Sequence, residues 1–234
     1  MLLSAATASA QPTYRLGVRG GLNRANSTAD GASNFSSYPF SYSAGKSAIY
    51  AWQAGTVLEV AFRHFALQPA LIFSQKGEQL NTSTTADGVV GQSTQETQQT
   101  SRYNWLELPV NVVYTLHGFQ VFAGPYVALG VGGRKHGILL QASPFARFGP
   151  SEFAEKISYE TETENHRFDA GVNFGLGYRK GPLQVQLSYG LGLRNLHQPF
   201  SGYIIFESPY YHDFNADAAY NRVVQVVGTY FFEL

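Results

Sequence analysis

Apolar and polar residues alternate with a period of two along most of the chain, and a helical period is almost absent. The alternation predicts eight strands, at about 14–23, 48–63, 65–76, 103–116, 119–134, 166–179, 183–194 and 221–234. The fourth shows the pattern well. Leu106, Leu108, Val110 and Val112 fall on one face, and Glu107 and Asn111 on the other. The connections alternate in length as well. Tight turns at His64, His117-Gly118 and Lys180-Gly181-Pro182 exchange with long polar loops at about 25–47, 77–101, 135–165 and 195–220. An even number of strands, short turns at one end and long loops at the other describe an all-β, antiparallel, up-and-down barrel that spans a membrane. The short turns and both termini are then expected on the periplasmic side and the long loops outside the cell.

Composition narrows the class. Sixteen basic residues balance sixteen acidic ones, so no basic excess points to nucleic acid. Charged residues make up 14% of the chain and aromatics 15%, with 24 Gly and no Cys. The lack of Cys excludes a disulfide framework, a thiolate metal site and a cysteine nucleophile. No apolar run reaches the ~20 residues of a spanning helix. Residues 1–10 end in Ala8-Ser9-Ala10, a small-residue cleavage pattern, and read as the remnant of a secretory signal peptide. Residues 11–234 then form a single domain.

Alternation alone does not say which face is inside. A soluble, lipocalin-like barrel turns its apolar face inward around a ligand, and a membrane barrel turns it to lipid. Three features favour the membrane version. Charges of both signs lie at mid-strand on the polar face: Arg19, Glu59, Lys76, Glu107, Asp169 and Arg194. They are expected to form a structural network of paired charges in the lumen, because a buried charge is tolerable only when paired. Aromatics gather at the strand ends of the apolar face: Tyr14, Phe62, Phe65, Phe119, Tyr178, Tyr230 and Phe232 at one end, Tyr50, Trp52 and Phe73 at the other. Most glycines fall on the polar face, where Phe122 and Tyr126 help to fill a lumen only wide enough for side chains. Tyr103 and Trp105 break the pattern, since parity turns them inward; they lie above the bilayer or beside a bulge.

Candidate chemistry is sparse. The six histidines are scattered without ligand spacing, so no metal and no cofactor is expected. The acidic run Glu152, Glu155, Glu160, Glu162 and Glu164 reads as a solvated loop. A lipid-A-modifying enzyme would need His136, His166 or His197 beside Ser188 at the outer rim, and nothing in the spacing ties them together. The aromatic positions Tyr203, Phe206, Tyr210 and Tyr211 form a candidate partner-contact loop.

Several segments resemble a known family. Arg19-Gly20-Gly21-Leu22-Asn23, Leu67-Gln68-Pro69 followed by Phe73-Ser74-Gln75-Lys76-Gly77, and Trp105-Leu106-Glu107-Leu108-Pro109 are similar to motifs of the PorT-like outer-membrane β-barrel proteins of Bacteroidota. So are Ala123-Gly124-Pro125-Tyr126, the run from Asp169 to Gly177 and that from Tyr189 to Asn195. The resemblance covers nearly all of the mature chain. It implies an eight-stranded barrel in the Gram-negative outer membrane and a link to secretion in the founding member. The expected role is structural or adaptor-like, not enzymatic. The expected partners are outer-membrane lipid and lipopolysaccharide, the barrel-assembly machinery during insertion, and an envelope or secretion protein.

Overall fold

The computed structural model describes residues 12–28, 34–157, 159, 166–196 and 219–233. The segment 1–10, expected as a signal-peptide remnant, and the expected partner-contact positions Tyr203, Phe206, Tyr210 and Tyr211 lie outside them.

Among the described residues eleven strands follow one another: β1 (Thr13–Thr28), β2 (Asn34–Ser37), β3 (Phe40–Ala61), β4 (Phe65–Gly88), β5 (Gly91–Leu116), β6 (Phe119–Ser143), β7 (Ala146–Arg147), β8 (Ser151–Ile157), β9 (Phe168–Lys180), β10 (Leu183–Gly192) and β11 (Tyr220–Glu233). All pair antiparallel. β1 bonds both β11 and β3, and this closes a ring of eight strands. β2, β7 and β8 lie outside the ring and extend the sheet beside β3 and β6. The eight strands read from alternation are the eight of the ring.

The turns follow from local chemistry. His117 and Gly118 both take positive φ, which matches the twist of a two-residue hairpin. Gly181 does the same before Pro182, whose missing N–H costs nothing in a turn.

The opposite end differs from the sequence reading. The stretch 77–101 is not a loop. β4 and β5 continue through it as one hairpin, in register from Gly77↔Arg102 up to Gly88↔Gly91. β6 likewise runs on to Ser143 and carries β7 and β8. The Thr and Gln residues of this region are polar on both faces, so the strand continues without alternation. Extended chain satisfies its backbone groups by pairing whether or not one face meets lipid.

The sides of the sheet are inverted relative to a soluble barrel. Leu16, Val18, Leu22, Leu71, Leu108, Val112, Val121, Leu176, Val185 and Val226 are exposed on the outside, while Asn23, Gln53, Glu59, Lys76, Gln184 and Asp169 are buried. This rules out the lipocalin-like reading, which needs the apolar face inside. Two aromatic belts bound the apolar band. Phe65–Tyr114, Phe119–Tyr178 and Tyr230–Phe232 pair at the short-turn end, with centroids 5.0, 5.2 and 5.0 Å apart. Trp52–Phe73 and Phe174–Tyr189 pair towards the other, at 5.4 and 5.7 Å. Strand β3 between Trp52 and Phe62 has the ~9–11 residues that a tilted strand needs to cross a bilayer.

Trp105 keeps its parity. It points inward and is 2% exposed. The register shift lies on its neighbour: Trp105 pairs with Gly130 and Asn104 with Gly132, so Val131 is the extra residue of a bulge. Gly132 takes a φ of 139° there.

Candidate functional site in the lumen

The lumen is built in layers from the inward residues of the eight strands. At the short-turn mouth lies an open vestibule of about 950 Å³, lined among others by Arg15, Arg63, His64 and Arg179, with Glu59 at its floor. Glu59 accepts hydrogen bonds from Arg179 Nη1 at 2.6 and 2.7 Å, from Arg15 Nη1 at 2.9 Å and from Gln68 Nε2 at 2.8 Å. Four donor contacts on one carboxylate make its burial tolerable. Arg179 also stacks over the Phe231 ring, 4.5 Å from its centroid, and Phe231 packs on Val57, Ala70 and Ile72. A glutamine layer follows. Gln184 Nε2 donates to Gln120 Oε1 at 2.8 Å, and Gln68 Nε2 reaches Gln184 Oε1 at 3.4 Å.

The central layer holds the other charges. Lys76 and Glu107 form an ion pair at 2.9 Å, and buried Arg19 adds a second positive charge facing Glu107. Lys76 Nζ lies 4.7 Å from the centroid of the Tyr126 ring. Tyr126 Oη donates to Asp169 Oδ2 at 3.0 Å, and Asn221 Nδ2 donates to the same oxygen at 2.8 Å. Two cations therefore face two carboxylates, so the layer is neutral. Asn23 links it to the wall: its Nδ2 donates to Ser74 Oγ at 3.1 Å and its Oδ1 accepts from Gln53 Nε2 at 2.9 Å. Above lies an apolar cap of Trp105, Tyr103, Leu196 and Ala219. The space beside it measures about 20 Å³, room for about one water. Ser27 and Lys46 meet Glu78 at this level.

Glycine makes the filling feasible. Tyr126 lies opposite Gly171 and Phe122 opposite Gly175. A Cβ on Gly171 would stand 2.7 Å from the Tyr126 ring, and one on Gly175 would stand 2.8 Å from Phe122. Each ring thus occupies the place of the side chain that its partner lacks.

Five of the six charged residues expected in the lumen are there, in two groups: Glu59 near the mouth, and Arg19, Lys76, Glu107 and Asp169 at the centre. Arg194 is not. β10 ends at Gly192, and beyond it the chain bends and parity no longer holds. Arg194 is exposed, with its guanidinium 5.9 Å from the Phe168 centroid. Arg15 and Arg179, which complete the Glu59 cluster, share its inward parity. Both sit near strand ends, outside the mid-strand stretch that marks a lumen charge. Tyr126 fills the lumen as its parity predicts, whereas Asn221 carries no charge to mark it.

Ser188 is buried in the lumen and donates to Gln225 Oε1 at 3.1 Å, whereas His136 lies on exposed β6, opposite Thr100. The structure does not bring them together, and His197 lies outside the described residues. No cluster of three potential metal ligands occurs among the described residues. Glu152 and Glu155 belong to β8, with Glu155 opposite Lys135; Glu160, Glu162 and Glu164 lie outside the described residues.

A family model described as outer membrane protein beta-barrel domain matches residues 9–198. No curated protein matches the chain. Among solved structures, the chain is similar to Ail, the attachment invasion locus protein of Yersinia pestis, solved with the heparin analogue sucrose octasulfate. The identity is 10%, the match covers 94% of this chain and 99% of that one, and the TM-score is 0.41. It is also similar to the P. putida toluene transporter TodX, at 7% identity, 96% and 90% coverage and a TM-score of 0.17. At these scores the likenesses bear no weight on function.

Proposed function

Because the chain belongs to the outer membrane protein beta-barrel domain family, we propose that it serves that membrane as a closed barrel with a structural or adaptor role. The single observation behind this reading is the contrast between its two parts. The lumen is filled across its middle by paired charges, while β4, β5 and β6 run far past the lipid-facing band. A wall with a filled centre offers little path to solutes, and strands that outrun the bilayer offer a surface to another protein. The termini and short turns face the periplasm in this reading, as short turns do in barrels of this kind. Catalysis and cofactors have no part in it. Kinship with PorT-like proteins, carried by the motifs around Arg19, Lys76 and Glu107, makes a secretion component its finer form.

The test is genetic. Replacing residues 80–99 by a two-residue turn is expected to leave a folded barrel in the outer membrane. It is also expected to lower export of surface proteins as far as deletion of the whole chain does. Full complementation by the trimmed barrel would overturn the adaptor role of the hairpin. Normal export after full deletion would overturn the secretion role.

A further inference from the structure

Three cations stand side by side on the outer surface of the sheet. Arg102 of β5 lies directly opposite Arg134 of β6, and Arg134 lies directly opposite Lys156 of β8. Strand parity turns Arg102 outward, since its neighbours Ser101 and Tyr103 share the inward face of Glu107. Like charges at directly opposed positions repel, so a row of three is unfavourable unless an anion sits on it.

The row borders a cleft of about 630 Å³ beside the Val131 bulge. Arg167 lines the same cleft, with its Nε 3.4 Å from Gly130 O. Gln75 and Asn104 flank it and hydrogen-bond each other at 3.0 Å. Among the described residues the cleft is thus lined by four cations and by no carboxylate. None of the four forms an ion pair among the described residues. Arg102 is held in place by donating to Tyr50 O at 2.9 Å. Tyr159 Oη, also at this cleft, is buried and has no hydrogen-bond partner among the described residues.

The height of the row identifies the anion. On β5 the exposed apolar band begins at Leu106, four residues from Arg102; on β6 the exposed Val131 lies three from Arg134. At ~3.3 Å per residue along a tilted strand the cations stand on the order of 10 Å above the hydrocarbon edge. That is the depth of lipid headgroups. We propose that Arg102, Arg134, Lys156 and Arg167 form a binding site for a phosphorylated lipid headgroup of the outer leaflet. Guanidinium groups take phosphate through paired, charge-assisted hydrogen bonds, and the acyl chains would lie along Leu106 and Val131. The assignment rests on the outward placement of the long-hairpin end proposed above.

The purified full-length barrel in nanodiscs tests this, with native mass spectrometry as the readout. The wild type is expected to retain diphosphoryl lipid A. R102Q/R134Q should retain it at least about tenfold less, for the loss of charged hydrogen bonds. Dephosphorylated lipid A should bind the wild type no better than diphosphoryl lipid A binds the variant. Equal retention by wild type and variant would overturn the site. Displacement of lipid A by millimolar inorganic phosphate would make it a free-anion site. A preference for phosphatidylglycerol over lipid A would put the row at the inner leaflet, against the proposal. Heat-modifiable gel migration, measured on both proteins, separates these failures from failure of the barrel reading itself.

Discussion

Lys76 Nζ stands 2.9 Å from Glu107 Oε1, and each side chain is only 3% exposed. A buried pair of this kind contributes little beyond what two well-packed apolar residues would, but losing one partner leaves a charge without compensation. Glu107→Gln is therefore expected to cost about 3–5 kcal/mol. The readout is the temperature at which the compact gel band converts to the unfolded one. The double variant K76M/E107L should recover most of the loss. A Glu107→Gln barrel that converts at the wild-type temperature would show that the pair does not hold the lumen.

The outward face should reject charge where it meets lipid. Val110 lies near the middle of the exposed apolar run of β5. Val110→Arg should lose ~2–4 kcal/mol and block assembly into the membrane, since a cation at mid-depth is costly. Gln98→Arg, on the same strand but in the protruding hairpin, should assemble normally. Equal recovery of both variants in the outer membrane would contradict the inside-out arrangement.

Much of this fold was legible because lipid and lumen impose opposite demands on successive residues. Every ring strand between the aromatic belts carries that contrast, and all eight were found. Above the belts neither face meets lipid, so the Thr, Ser and Gln run from 77 to 101 lost the signal while remaining strand. The lumen charges were legible by parity as long as the strand lasted. Arg194 failed because β10 stops at Gly192. Trp105 looked out of place on the polar face because parity does not show that the lumen turns apolar above its charged layer, where Trp105 packs with Tyr126, Leu196 and Ala219.

Close packing in the lumen gives a third expectation. A Cβ on Gly171 would meet Leu191 O at 2.2 Å and the Tyr126 ring at 2.7 Å, whereas Gly45 has nothing within 4 Å. Gly171→Ala should lose ~1–3 kcal/mol as Tyr126 is pushed off Asp169. Gly45→Ala should change little. Comparison of the two heat-modification curves settles the point, and similar curves would mean that Tyr126 has room to move.

The natural lack of Cys makes orientation simple to read. Val89 is fully exposed at the tip of the β4–β5 hairpin, and His117 is exposed in a short turn. Val89→Cys should react with a membrane-impermeant maleimide on intact cells. His117→Cys should react only after the outer membrane is opened. The reverse pattern would place the termini outside the cell.

The central claim is that the charged and glutamine layers close the barrel between its two mouths. Planar-bilayer recording of the purified, refolded protein tests it most directly. The account predicts no sustained conductance from the wild type, with a heat-modifiable band proving that the same sample is folded. A steady, ohmic channel from that sample would contradict it.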